Sequence, residues 1–199
     1  PNAKLVTANG DSVFITVNTN GVFVNGIQTL ANDVQASNGY IDAMSAPLFP
    51  PRGTILQTLQ ADTSFSYLVA ALSRASLGTT DMNGMLSSGG PYTIFAPVNY
   101  AFRTAGFATV DQINNSNSDS LANILLYNIL PGRTFTSDLS TGAVRTTLND
   151  STILFTSSGA TRQIQGSMNT IPANVVAANI MARNGVMYII DQVLLPKQQ

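Results

Sequence analysis

Two stretches of this sequence read alike, and the distance between them limits how the chain can be divided. "ASNGYIDAMSAPLFP" (36–50) aligns with "ARNGVMYIIDQVLLP" (182–196). Ala36 matches Ala182, Asn38 matches Asn184, Gly39 matches Gly185, Leu48 matches Leu194 and Pro50 matches Pro196, an offset of 146 residues (184 − 38). Farther upstream "GDSVFIT" lines up with "NDSTILF" at an offset of 139 (151 − 12) for the two serines, so seven extra residues separate these anchors in the second copy. Self-similarity of this kind marks a structural unit used twice. Residues 1–51 therefore read as the tail of one module and residues 52–199 as a complete second one.

The local patterns agree with that division. In "SVFITVN", Val13, Ile15 and Val17 fall on one face and Phe14 and Thr16 on the other, as in a strand. "NTNG" (18–21) is a turn, "VFVNG" a second short strand, and "VQASNGYIDAM" continues extended through an Asn-Gly turn. "SAPLFPPRG" (45–53) brings three prolines and a glycine, which halt regular structure. Beyond it, Phe65, Leu68, Val69 and Leu72 make a helical stripe, with Asp62 or Thr63 as N-cap and Gly78 as the stop. "TILQTL" before it makes a turn or two of helix.

"YTIFAPVNYAF" (92–102) is a strand that ends at Pro97, which cannot donate to a ladder, and restarts as a helix. Asn99 then stands where an N-cap belongs, so the motif reads as a strand-to-helix joint, not a ligand contact. In "DSLANILLYNILPG", Leu121, Ile124, Leu125 and Ile129 share a helical face, Asp119 or Ser120 caps the start, and Pro131-Gly132 ends it. From 143 onward short strands return: "TILFT", "TRQIQG", "ANVVAAN" and "GVMYIIDQVLL".

On these residues the chain resembles a known family. "YTIFAPVNYAF" is similar to the first signature of fasciclin-type (FAS1) domains, "GVMYIIDQVLLP" to the second, and "LLYNILPG" to the segment between them, where the family usually has Tyr-His. The resemblance implies an α+β fold, a FAS1-like wedge of two β-sheets with helices packed along one side. It also implies a non-catalytic extracellular or cell-surface module, often in tandem, that contacts a protein or glycan at a surface or matrix. Tyr127-Asn128 stands in place of Tyr-His, and Asn keeps donor and acceptor capacity without titrating. The Asp-Ile motif that the family links to integrin binding reads Asn179-Ile180 in the complete module and Asp33-Val34 in the partial one. Integrin recognition uses a carboxylate for its bound metal, which leaves Asp33. Candidate partner contacts are thus Asp33, Val34, Tyr127, Asn128, Asn179 and Ile180.

Composition narrows the chemistry further. The chain has no Cys and no His, which removes thiolate nucleophiles, the commonest general base and the usual zinc ligands. Charged residues are 10% of the chain, the net charge is −1, and the seven arginines are scattered, so a nucleic-acid face is not expected. No apolar run reaches the roughly 18–20 residues of a spanning helix, and no cofactor is expected. An enzyme would need two of the dispersed aspartates to converge. A carbohydrate-binding surface, the alternative function, would need Tyr40, Tyr67, Tyr92, Tyr100 or Tyr188 as an aromatic platform, because there is no Trp. "INNSNSDS" (113–120) lacks the Gly and final Glu of a calcium loop and reads as a solvated loop. Asp191, inside "MYIIDQVLL", is expected on a strand, buried and accepting backbone hydrogen bonds. Residues 1–51 hold half a core, too little to stand alone. Their apolar side chains Val13, Ile15, Val17, Phe23 and Val24 are expected to be buried against the 52–199 module or against another copy of the chain.

Overall fold

The computed structural model describes residues 3–197. Five strands open the chain in an antiparallel sheet, each beside the next: β1 (Ala3–Val6), β2 (Ser12–Asn18), β3 (Gly21–Val24), β4 (Ile27–Ala36) and β5 (Gly39–Met44). After the proline-rich linker come α1 (Ile55–Gln60), α2 (Ser66–Ala75), α3 (Met82–Ser88), β6 (Tyr92–Pro97), α4 (Asn99–Thr104), α5 (Val110–Asn114) and α6 (Ser118–Tyr127). Six more strands complete a seven-stranded sheet: β7 (Ile129–Pro131), β8 (Val144–Thr146), β9 (Thr152–Ser158), β10 (Thr161–Gln165), β11 (Ala173–Ala182) and β12 (Gly185–Ile190). Its order is β7-β6-β12-β11-β10-β9-β8, with β6 and β12 parallel and the other neighbours antiparallel. β11 serves two arms of the wedge: residues 173–174 pair with β10, and residues 175–182 pair with β12 across two register shifts.

Both faces of β6 are covered. Ile94 and Ala96 join the helical core formed with Leu68, Leu72 and Phe102, while Phe95 joins a second cluster with Tyr127, Phe135, Phe155 and Tyr188. Such burial on both faces suits the nearly continuous apolar run "IFAP". Phe95 and Tyr188 meet edge to face at 5.4 Å, an arrangement worth about 1 kcal/mol beyond burial.

The repeat is a structural one. β4 and β5 begin and end 146 residues before β11 and β12, and both hairpins carry register shifts at matching places. Asp33 and Asn179 take the left-handed conformation at the same point, with φ of 56° and 59°. β1 to β5 thus follow the order of β8 to β12. The first sheet differs at its open end: β5 is an outer strand, whereas β12 is paired with β6.

Several local expectations change. Asn99 is the first residue of α4, not its cap; its Oδ1 accepts from Tyr67 N (3.0 Å) and its Nδ2 donates to Thr63 O (2.9 Å), so it caps the start of α2. α2 stops at Ala75, before Gly78. Asn117, not Asp119 or Ser120, caps α6 by accepting from Ser120 N (2.9 Å). Asp119 instead accepts from the backbone N–H and hydroxyl of Thr79, which hold its carboxyl below the ordinary value. "INNSNSDS" is therefore a helix end followed by a helix cap.

Candidate interaction site

The two repeats meet where the first sheet leans on the second. The contact uses the face of β2 opposite to the expected one. Phe14 lies 6.0 Å from the Phe135 ring, and the Arg133 guanidinium sits 4.7 Å above Phe14. Thr16 Oγ1 donates to Asp138 Oδ1 (2.8 Å), and Asn18 Nδ2 donates to Ser137 O (2.8 Å). Val13, Ile15 and Val24 are only half-buried and Val17 is 56% exposed, which corrects the expectation that they are covered in this chain. Phe23 does not belong to that face at all, because it pairs with Thr16. The physical reason is what residues 133–138 present to β2: the Phe135 ring, the Asp138 carboxylate and the Ser137 carbonyl, which suit a mixed face and not an apolar one. Partial burial lowers the Arg133 pKa from the ordinary arginine value. Burial, reinforced by Asp138, pushes the Tyr188 phenol far upward, so it stays a donor to Thr134 O (2.8 Å).

At the centre of this contact is Asn179. Its Oδ1 accepts from Thr136 N (2.9 Å), and its Nδ2 donates to Thr136 Oγ1 (2.8 Å) and to Gly26 O (3.3 Å). Gly26 belongs to the Asn25-Gly26 turn between β3 and β4, where both residues have positive φ. A Cβ on Gly26 would lie 2.5 Å from the Asn179 amide, so only glycine fits this approach. Ile180 beside it is half-buried and packs against the helical core. Asn179 is thus spent on docking the first sheet, and Ile180 on packing against the helices.

The matching pair in the first sheet is differently placed. Asp33 is exposed, its backbone N–H donating to Asp42 Oδ1 (2.8 Å), and Val34 is 49% exposed. The bulge that docks a neighbour in one copy stands open in the other. No sequence signal marked Gly26 as the knob for the Asn179 socket, although its Asn-Gly dipeptide was a readable turn.

Tyr127 and Asn128 are corrected as partner contacts, because both lie inside. Tyr127 is 0% exposed; its hydroxyl donates to Thr152 O (2.7 Å) and accepts from Ser167 N (2.9 Å). Asn128 is 2% exposed; its Nδ2 donates to Ile124 O (2.8 Å) and Leu194 O (3.0 Å), and its Oδ1 accepts from Leu194 N (3.1 Å). Tyr188 is also buried and cannot form part of an exposed aromatic platform. Asp191 lies just past β12 and is half-buried, not sealed in a strand; it accepts from Asn174 N (2.7 Å) and Asn174 Nδ2 (2.6 Å). Its own N–H bonds Asn174 O (3.3 Å), and the matching Ser45 N–H bonds Gln28 O (2.9 Å), so the backbone link repeats without the carboxylate. Among the described residues no three acids gather to hold a metal, and no helix is long and apolar enough to cross a membrane.

Comparison with known proteins agrees with this architecture. The family described as "Fasciclin domain" matches residues 63–196. Protein sll1483 of Synechocystis sp. is 33% identical over 144 residues, 72% of this chain and 73% of the relative. Transforming growth factor-beta-induced protein ig-h3 of Oryctolagus cuniculus is 31% identical over 195 residues, 96% of this chain. The chain spans only 26% of that relative's length. Among solved structures, a FAS1 domain pair from the insect cell adhesion molecule fasciclin I superposes with a TM-score of 0.59 at 20% identity, over 96% of this chain and 66% of that one. With its fold, its two signatures and these matches in place, the chain belongs to the fasciclin-domain family.

Proposed function

We propose that this chain is a non-catalytic extracellular adhesion or surface-interaction module, and that the bulge at Asp33-Val34 contacts its protein partner. The observation that carries this reading is the pair of equivalent bulges, one filled by Gly26 and the other open. The open one offers a carboxylate where the filled one has an amide. A carboxylate can complete the oxygen shell of a divalent cation held by a partner. Family membership supports the reading, since a solved relative is a cell adhesion molecule. Residues 1–51 are the C-terminal part of a preceding module and residues 52–199 a complete one. The match of β1–β5 to β8–β12 supports that division.

A cell-attachment assay on the immobilised chain tests this. Asp33→Asn, which removes the charge and suits the left-handed backbone at this position, should reduce attachment severalfold with no change in melting temperature, and chelation of divalent cations should reproduce the loss. Full attachment by Asp33→Asn would move the contact elsewhere. Absence of attachment by the unaltered chain across cell types would overturn the adhesion reading itself.

A further inference from the structure

Beneath the linker that joins the two sheets lies a cleft that adhesion through Asp33 does not use. We propose that it binds a monoanionic amphiphile, one carboxylate or similar head on an apolar chain. The cleft encloses about 530 Å³, within the size range of small-ligand sites. Its walls are apolar and come from both repeats: Ile27 of β4 faces Ala178, Ile180 and Met181 of β11, and Leu48 and Phe49 approach from the linker. Prolines at 47, 50 and 51 fix the backbone around those two residues, so the linker cannot coil down to fill the space. Phe49 is left 73% exposed at the mouth, and a bound apolar chain would cover it.

The polar groups of the cleft decide the class of ligand. Asn179 has its amide committed to Thr136 and Gly26, Thr58 Oγ1 donates to Thr54 O (2.8 Å), and Asn25 Oδ1 accepts from Phe14 N (2.8 Å). A sugar, which needs many hydrogen-bond partners, would find few. Arg52 is the exception. It lines the cleft, is exposed, and makes no hydrogen bond or ion pair among the described residues. No aspartate lines the cleft with it. One unpaired guanidinium above an apolar wall complements one negative head on an apolar body.

The test is a titration of the full chain with dodecanoate below its micelle concentration, followed by calorimetry and by methyl resonances of Ile27, Ile180 and Met181. Saturable binding with shifts confined to those methyls is expected. Methyl dodecanoate and dodecyltrimethylammonium should bind at least about tenfold more weakly, and Arg52→Gln should lose about tenfold in affinity for dodecanoate at unchanged melting temperature. Absence of saturable shifts would overturn the proposal. So would equal binding of the ester or the cationic amphiphile, a result that stands even if Arg52→Gln proved unstable.

Discussion

Asn128 makes a backbone-like connection with a side chain. Its amide holds both the N–H and the C=O of Leu194 while also satisfying Ile124 O at the end of α6. Alanine there would strand the two buried backbone groups of Leu194 and the half-buried Ile124 O, at a cost of about 3 kcal/mol. A histidine keeps one donor and one acceptor and should cost clearly less. Urea denaturation of both variants measures this, and equal losses would show that packing, not hydrogen bonding, sets the cost. The polar residue beside an apolar stripe was visible in the sequence. Its partner, 66 residues away, was not, because no local pattern encodes a tertiary hydrogen bond. Asn99 teaches the same thing: its capping chemistry was legible, but the backbone N–H it caps, that of Tyr67 in α2, lies 32 residues earlier. Asp191 was read correctly as a backbone acceptor and incorrectly as sealed, since hydropathy of neighbours does not reveal that the strand ends at Ile190.

Among elements, those with a long apolar period or a repeat partner were readable; of the short capped helices, α1 was read as a turn or two of helix, and α3 and α5 were not. α3 and α5 span 7 and 5 residues, too few for a stripe, yet each has a cap: Asp81 accepts from Gly84 N, and Thr109 forms a box with Gln112. The repeated hairpin shows how one element acquires different demands in two settings. Gly185 begins β12 where a Cβ would lie 2.2 Å from Tyr92 O and 2.6 Å from Ile55 Cδ1, whereas its counterpart Gly39 has nothing within 4 Å. The parallel β6 and helix α1 close over one and not over the other. Gly185→Ala must push β6 from β12 and should cost about 2–3 kcal/mol, in the range of overpacked cores. Gly39→Ala should stay within about 0.5 kcal/mol of neutral. Comparable melting-temperature losses in the two variants would contradict this account of the hairpins.

At the scale of the whole molecule, the two halves contribute unequally to the interior. Every apolar side chain of the two core clusters that is fully buried belongs to residues 55–194. The buried residues of the first sheet are Thr16, Asn25 and Thr29, all polar. Its apolar face has a counterpart that shows what it lacks: Ile15 pairs with Val24 as Phe155 pairs with Ile164, and only the second pair is covered, by Phe95, Tyr127 and Tyr188. The sequence displayed the alternation of β2 but not which face would meet a neighbour, since that depends on Asp138 and Ser137 across the contact. It follows that a 52–199 fragment should keep a cooperative thermal transition. Losing the Phe14 ring from Phe135 and from Arg133 should cost it about 1–3 kcal/mol, or several degrees. The 1–51 fragment, with no fully buried apolar side chain among its described residues and no disulfide, should show no sheet signal in dilute solution by circular dichroism. A folded 1–51 peptide would make the first sheet an independent unit. A 52–199 fragment without a cooperative transition would mean instead that the sheet is a required part of the second module, and the division at the linker would fail.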